Sequence, residues 1–461
     1  MSCSRLDAVY RPRRPRESPL WQLLNDRFED FLEEYQSKFQ KRYGYFRSII
    51  LEVVKNFLQC GDLRHGFARI RCSECKREYL LAFSCRGRWF CPSCHAKIVV
   101  QFGERLRREI LYPVPHRQYV FSIPIIIRSF FRYDRKLLGR LCQCVNRSLT
   151  LFFKKILHLQ DGVPGMVMVI HTFGDYARWH PHVHVLTADG LFRSNGMFYV
   201  MPKKSDTKVL GQLFRASVLT MLKEEGIIDE AFIQKVMKWR HCSGFSVYRG
   251  MQVKRDDEAG KEALAQYIIR NPFSLEKIRY NPDTGTVIYR SGMTHGRNKK
   301  NFEIFPATEF IAAITQHIPE KSFQLVRYYG WYSNRSRGDR AQGADIEPPD
   351  SFAEDSRLPA EAERFLEIID TSLYRPLRIP SKTWRECIKK IWEVDPLECP
   401  RCGVEMKIIS FITPSQPNVI RRILEHLGLW IEGEEECRPP PKRQEFLDGM
   451  HVCEGSSRQA N

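Results

Sequence analysis

Between Trp179 and Leu186 the chain reads WHPHVHVL, so three of its thirteen histidines stand at alternate positions, 180, 182 and 184. Successive side chains of an extended strand point to opposite faces; His182 and His184 therefore share one face while Val183 and Val185 enter the core opposite. Two imidazoles spaced about 6.5 to 7 Å along a strand can converge on one divalent ion. His180 has the same parity but precedes Pro181 at the mouth of the strand, where it is suited to positioning a substrate. Two histidines do not complete an octahedral Mg²⁺ or Mn²⁺ site, so a third protein ligand and several waters are expected, with Asn271 and Asp175 as candidates. A single histidine is usually a hydrogen-bonded core residue. Three at alternate positions make that account the weaker one.

The fifteen cysteines supply a second chemistry. Cys72-x2-Cys75 and Cys91-x2-Cys94 are separated by fifteen residues, the spacing of two knuckles that offer four thiolates to one tetrahedral Zn²⁺. Metal-free reduced pairs are the bland alternative, but thiolates so placed bind zinc readily. Cys60, His65, Cys85 and His95 lie nearby at less regular spacing, and either complete a second site or substitute for a ligand in the first. In the loop between the knuckles Arg86, Arg88 and Trp89 combine guanidinium groups for phosphate with a ring for base stacking, although a solvated positive face would read the same. Downstream, Cys399-x2-Cys402 has the form of half a zinc ribbon, with His426, Cys437, His451 and Cys453 available to complete it; reduced thiols in a knuckle-like turn are the preferred alternative there. Tyr328, Tyr329, Trp331 and Tyr332 run into Arg335 and Arg337, a candidate path for a single strand if the rings are not simply packing a helix end.

The elements that must position these groups follow from periodicity. Ser18-Pro19 reads as an N-cap with proline at the first helical position, and Trp21, Leu24, Phe28, Phe31, Leu32, Tyr35 and Phe39 recur at helical spacing. A second apolar stripe runs from Phe46 to Leu58. β-rich segments, Tyr119 to Ile127 and Met166 to Phe173, flank a helical pattern from Lys136 to Ile156. Strand-like runs His182 to Thr187 and Met197 to Met201 on either side of Asp189-Gly190 suggest an antiparallel hairpin with a long loop. Asp257 to Arg270 reads as a helix that must stop before Pro272, and Ile278 to Tyr280 with Val287 to Tyr289 as a hairpin. The fold class is α+β. The expected layout is serial: a basic tail over 1–18, a helical and cysteine-rich unit over 19–105, a larger sheet-bearing unit over 106–335, a polar linker over 336–360, a small C-terminal unit over 361–431 and a tail over 432–461 without apolar periodicity.

Composition narrows the partner. Lys and Arg number 73 against 54 Asp and Glu, a net charge of +19, and such an excess attracts a polyanion. No apolar run of about 18 residues exists to span a bilayer. Met1 to Pro19 is polar and rich in arginine, with no apolar core of a secretory signal. A cytosolic protein with reduced thiols that binds nucleic acid is therefore expected.

With these blocks in hand the chain resembles a known family. His182-Val183-His184 resembles the HUH motif of rolling-circle nucleases. His171-Thr172-Phe173-Gly174 followed by WHPHVHVLTADG resembles the transposases of the insertion sequence 91 family, as do FCPSC (90–94), YDRKLLG (133–139), WRHCSGFSV (239–247), RYYGWYSNRSRG (327–338) and DPLECPRCGVEMKIISFI (395–412), which together cover most of residues 45 to 425. The resemblance implies a bacterial cytoplasmic enzyme with a ferredoxin-like nuclease sheet over 106–335 and a zinc-binding, DNA-gripping unit over 19–105. It also implies a catalytic Mg²⁺ or Mn²⁺ and cleavage of single-stranded DNA by a tyrosine that becomes joined to the 5′ phosphate. In Ala265-Gln266-Tyr267-Ile268-Ile269-Arg270 the Y-x-x-R pattern of that family falls on Tyr267 and Arg270, which makes Tyr267 the implied nucleophile and Arg270 a phosphate clamp. The founding members carry two tyrosines four residues apart; here the partner position is Ala263, so re-use of Tyr267, the tyrosine of a second protomer in a homo-oligomer, or a distant residue must serve the second transesterification. A plasmid replication initiator or relaxase of the HUH class is the nearest alternative. A non-catalytic zinc-ribbon regulator would explain the charge and the cysteines but not the histidine strand or Tyr267.

Overall fold

In a computed structural model describing residues 14–430, apart from 86, 88, 204, 239–243, 291–300, 343–365, 378–379 and 381, the first helix begins as its sequence dictates. The Ser18 side chain accepts the backbone N–H of Trp21 at 3.2 Å and Pro19 occupies the first turn, satisfying one donor and needing none at the next position. Pro19–Glu34 buries Leu20, Leu23, Leu24, Phe28, Phe31 and Leu32. A wider turn follows at Tyr35–Phe39, and the helical run ends at Gly44, whose φ of +85° suits a residue without Cβ. Tyr35 meets Phe31 and Phe46 edge-on, with ring centroids 5.4 and 5.0 Å away. The second stripe forms Ile49–Leu58.

The chain divides into two units, neither continuous in sequence. One joins the residues up to Lys97 with Phe273–Lys321 and the residues from Thr383; the other joins Ile98–Pro272 with Ser322–Lys382. The serial layout read from composition is thus replaced by an interleaved one. In the first unit the Arg47 guanidinium donates to the carbonyls of Ile318 and Thr315, both at 2.7 Å, and to the Glu320 carboxylate at 2.8 Å. This unit also holds the expected hairpin, Ile278–Asn281 with Thr286–Arg290, extended by Phe302–Pro306. Its other sheet pairs Phe67–Cys72 with Glu78–Ala82 on one side and with Met406–Ile412 on the other. The segment expected to form a separate small C-terminal domain is therefore a strand partner of the cysteine-rich unit.

The second unit is built on five antiparallel strands in the order Val326–Gly330, Gly165–Phe173, Trp179–Ala188, His116–Ser122, Ser246–Val253. Along the chain the last four run strand, helix, strand, strand, helix, strand, with Lys136–Leu157 and Thr207–Glu224 as the helices. Tyr119 meets Phe153 of the first helix, centroids 6.3 Å apart, and Phe121 meets Phe214 of the second, 5.0 Å apart. Since 119 and 121 share parity, both helices cover one face of the sheet. The opposite face carries His182 and His184, and Glu258–Ile268, capped by the Asp257 side chain accepting from Gly260 N at 2.8 Å, packs against the histidine strand.

Two expected strands change. The β-rich run from Tyr119 to Ile127 breaks after Ser122: Pro124 has no N–H for a ladder, and Ile125–Arg128 forms a helical turn instead. The run from His182 does not form a hairpin with Met197 to Met201. Its ladders go to Gly165–Phe173 and His116–Ser122, while Gly190–Phe192 and Met197–Val200 form a small separate sheet with Ile368–Asp370. Asp189 forces the break. Its fully buried carboxylate accepts from Arg117 at 2.8 and 2.9 Å and from Gln252 at 2.7 Å, and a Cβ on the adjoining Gly190 would sit 2.0 Å from the Tyr199 carbonyl oxygen. The expected linker begins as a helix, Asn334–Ala341, capped by Ser333; its remainder, like the expected N-terminal tail up to 13 and the tail from 432, lies outside the described residues.

Removing one partner of the buried ion pair leaves the other charge in the core uncompensated. Asp189→Ala should lower stability by about 3–5 kcal/mol, read as a fall in urea midpoint at unchanged slope. A loss below about 1 kcal/mol would show that Arg117 finds solvent or another acceptor.

Candidate active site and metal centres

The ladder between Gly165–Phe173 and Trp179–Ala188 places His171 directly opposite His182 and Val169 opposite His184. Antiparallel partners point to the same face, so His171 joins His182 and His184 in one cluster. Ring centroids lie 5.2 Å apart for His171 and His182, 4.2 Å for His171 and His184, and 4.9 Å for His182 and His184. One ring nitrogen of each falls within 4.8 Å of those of the other two.

Hydrogen bonds at the far nitrogens fix which atoms face inward. Nδ1 of His182 stands 2.7 Å from the His180 carbonyl oxygen and Nε2 of His171 stands 2.7 Å from that of Ile268. A carbonyl only accepts, so these nitrogens carry the protons and the opposite ones carry lone pairs. The Gln118 amide nitrogen lies 2.8 Å from Nδ1 of His184 and, as placed, donates to it; a half-turn of the carboxamide puts its oxygen against Nδ1–H instead and leaves Nε2 of His184 bare as well. Nε2 of His182 and Nε2 of His184 then face each other at 3.1 Å, while Nδ1 of His171 is buried with no hydrogen-bond partner. Three converging lone pairs fit a cation. Burial lowers the basicity of all three rings, and the charge of Arg270 lowers it further: His182 falls to about 3, His184 to about 2 and His171 well below its ordinary value. At neutral pH all three are unprotonated and free to ligate.

Tyr267 stands on the last turn of Glu258–Ile268, the helix whose Ile268 carbonyl orients His171. Its ring centroid is 5.8 Å from that of His184, and its side chain is 44% exposed, open to a macromolecular substrate. The Arg270 guanidinium lies 4.7 Å from the Tyr267 ring centroid and 5.7 Å from that of Phe173, so it is held between the phenol and the Phe173 ring, and its charge reaches the three imidazoles. Asp175, expected as a third ligand, sits on the turn Asp175–Ala177 and is not part of the histidine cluster. Asn271 follows Arg270 with both side-chain amide atoms buried and without hydrogen-bond partners. The third imidazole was missed in the sequence. Its signal was there, a histidine near the end of the strand-like run MVMVIHTF that precedes the histidine run, but recognising it requires the register.

The cysteines correct the expected zinc site. Cys72 and Cys75 do not join Cys91 and Cys94. Cys91 and Cys94 cluster with Cys60 and Cys85, and Cys72 and Cys75 with Cys399 and Cys402. Sulfur atoms of Cys60 and Cys94 are 3.6 Å apart and those of Cys85 and Cys94 3.5 Å, near the roughly 3.8 Å edge of a tetrahedron with bonds of about 2.3 Å. Reading CxxC spacing as a pair of neighbours failed because the strand Glu78–Ala82 carries the chain away between the two motifs. Of the other candidates, His95 is buried and accepts the Trp89 N–H at 3.3 Å through Nδ1, and His65 pairs with Asp62.

The expected DNA contacts divide similarly. Trp89 is 8% exposed, in the left-handed region at φ +65°, with its ring against His95 at 4.7 Å; it packs the core and offers no stacking face. Trp331 and Tyr332 are also core residues, the Tyr332 hydroxyl lying 2.8 Å from Nε2 of His116. Arg335 is exposed, whereas Arg337 is tied to the Tyr332 carbonyl and the Asn334 side chain. Arg86 and Arg88 lie outside the described residues.

A pH dependence follows. The unfolded chain protonates its histidines near 6.5, whereas burial holds His171, His182, His184 and His116 far below that, the last at about 3. Stability is complete above 6.5 and is lost as pH falls toward the folded values, by about 1.4 kcal/mol per pH unit for each such histidine. In chelator, the urea midpoint should drop steeply between pH 7 and 5, and His182→Gln should flatten that slope. An unchanged slope in the variant would contradict the buried, neutral state.

Comparison with known proteins places the chain among transposases. Residues 165–340, which include His171, His182, His184, Tyr267 and Arg270, match the family model described as "Putative transposase", and residues 28–123 match "Transposase zinc-binding domain". The transposase for insertion sequence element IS801 of Pseudomonas savastanoi pv. phaseolicola is 24% identical over 381 residues, 80% of this chain and 86% of that protein. "Putative transposase y4qJ" of Sinorhizobium fredii (strain NBRC 101917 / NGR234) is 26% identical over 294 residues, 60% of this chain and 72% of that protein. No solved structure is significantly similar. Two family models in this order, and two transposases aligned along most of their own length, lead to one conclusion: the chain belongs to the insertion sequence 91 family of transposases and carries an N-terminal transposase zinc-binding domain.

Proposed function

We propose that the protein nicks single-stranded DNA at the ends of its element through Tyr267 and rejoins strands by transesterification, in rolling-circle transposition. The observation that carries this reading is the packing of Tyr267 and Arg270 against the face of the sheet on which His171, His182 and His184 converge. The strand order of the central sheet, two helices on one face and the histidines on the other, supports a ferredoxin-like HUH nuclease. The two relatives named as transposases favour transposition over plasmid replication or conjugative relaxation. A zinc-ribbon regulator without catalysis has no use for three inward-facing imidazoles.

In the proposed reaction the phenolic oxygen of Tyr267 bonds to the scissile phosphorus as the bond to the 3′ oxygen breaks. The phenol proton is lost and the departing 3′ oxygen gains one, so a 5′-phosphotyrosine and a free 3′ hydroxyl result. His171, His182 and His184 would hold Mn²⁺ or Mg²⁺, an ion that when bound polarises the phosphate and offsets charge in the transition state. A three-imidazole set suits Mn²⁺ better than Mg²⁺, which prefers oxygen. Arg270, already beside the Tyr267 ring, supplies planar N–H donors to the phosphate and a positive field to the developing phenolate. The net charge of +19 supplies sequence-independent attraction for DNA that weakens steeply with salt.

Single-stranded oligonucleotides taken from the flanks of the gene, incubated with Mn²⁺ and run on a denaturing gel, test the proposal. Wild-type protein should give a cleaved strand and a covalent band. Tyr267→Phe removes one oxygen and should abolish both while DNA binding persists. His171→Ala, His182→Ala, His184→Ala and Arg270→Ala should each slow cleavage at least about 10²-fold. Full activity in the histidine variants would overturn the metal assignment, and wild-type binding without any cleavage would favour the regulator.

A further inference from the structure

Cys399 and Cys402 lie beyond both regions that match known families, yet their sulfur atoms stand 3.5 Å from those of Cys75 and Cys72 respectively. All four sulfurs lie within 4.8 Å of one another and none is in a disulfide. The backbone around each pair repeats. Cys72 N–H donates to the Arg77 carbonyl at 2.8 Å and Cys399 N–H to the Val404 carbonyl at 3.0 Å. The residue after each second cysteine, Lys76 or Gly403, is left-handed, with φ of +58° and +71°. The N–H groups of Glu74 and Cys75 approach the sulfur of Cys72, and those of Arg401 and Cys402 approach that of Cys399. A left-handed residue after each pair lets a four-residue loop curl around an ion, and backbone N–H groups turned toward sulfur are the ordinary surroundings of such a knuckle.

We propose that Cys72, Cys75, Cys399 and Cys402 bind a second structural zinc, and that this ion makes the segment from Thr383 an integral part of the N-terminal zinc-binding module. The surroundings are built for it. Phe67–Cys72 pairs with Met406–Ile412 in antiparallel register, Cys72 opposite Met406, so the two knuckles end on adjacent strands. Ile70, Cys72, Cys399 and Met406 form one buried cluster beneath the sulfurs. The Arg385 guanidinium holds the Asp395 carboxylate through two bonds of 2.8 and 2.7 Å, and Asp395 accepts the Leu397 N–H at 3.0 Å, fixing the approach to Cys399. Tyr79 donates its hydroxyl to the Pro396 carbonyl. Four thiolates this close would repel one another strongly without a cation, and tetrahedral thiolate sets select zinc in a reducing cell.

The experiment is zinc stoichiometry on the full chain, purified under reducing conditions. Two equivalents are expected in wild type, and one in Cys399→Ser/Cys402→Ser, with the Cys60, Cys85, Cys91 and Cys94 site still filled. Thiol labelling of the intact zinc-loaded wild type, read by mass spectrometry, covers the case in which the double variant does not fold. Cys72, Cys75, Cys399 and Cys402 should be protected together and become reactive together when a chelator removes zinc. Two equivalents retained in the double variant, a single equivalent in wild type, or rapid labelling of Cys399 and Cys402 in the loaded wild type would each overturn the proposal.

Discussion

The candidate active site depends on one register. Because His171 lies opposite His182 across an antiparallel ladder, three imidazoles point into the same space, and a slip by one residue would turn His182 and His184 to the helix-covered face and replace them with valines. The register is held from both sides: Val183 and Val185 are completely buried under Lys136–Leu157 and Thr207–Glu224, and the far nitrogens of the rings are held by the His180 and Ile268 carbonyls and by Gln118. The bond from His171 to the Ile268 carbonyl has a second effect. It ties the cluster to the C-terminal turn of the helix that bears Tyr267, so the element that positions the proposed nucleophile also selects the ring nitrogen available to a metal.

How much of this could be read from the sequence follows from the range of each interaction. Ser18-Pro19, the alternation of WHPHVHVL, the helix ending before Pro272 and the hairpin around Asn281 to Gly285 are local patterns, and each appears in the structure at its expected place. The pairing partners of those elements are not local. His171 belongs to the histidine cluster only through the register, and the hairpin expected between His182 and Met201 failed because Asp189, which looked like a turn residue, is a buried carboxylate held by Arg117 and Gln252. Trp89 and Tyr332 failed as DNA-facing rings for the same reason: an aromatic beside arginines reads identically whether it stacks on bases or fills a core.

The cysteines carry the same point over a longer distance. Spacing of fifteen residues between two CxxC motifs suggested one site, and proximity in sequence hid the actual partners, one of which lies more than three hundred residues away. The chain leaves the first unit after Lys97, returns for Phe273–Lys321, leaves again and returns at Thr383. A motif at 72–75 can therefore be completed at 399–402, since the strand Met406–Ile412 is hydrogen-bonded to Phe67–Cys72. Interleaving of this kind joins the residues up to Lys97, Phe273–Lys321 and the residues from Thr383 in one unit, while Ile98–Pro272 and Ser322–Lys382 form the unit with the five-stranded sheet.

The central claim is that the residue joined to DNA is the tyrosine beside the histidines. Trapping the covalent complex on a short single-stranded oligonucleotide, digesting it with protease and nuclease, and sequencing the nucleotide-bearing peptide by mass spectrometry tests this most directly. The account predicts the added nucleotide on the peptide containing Tyr267. Its appearance on Tyr280, Tyr289 or a tyrosine between 328 and 332 would contradict the assignment, because none of those residues is part of Glu258–Ile268, the helix that packs against His184.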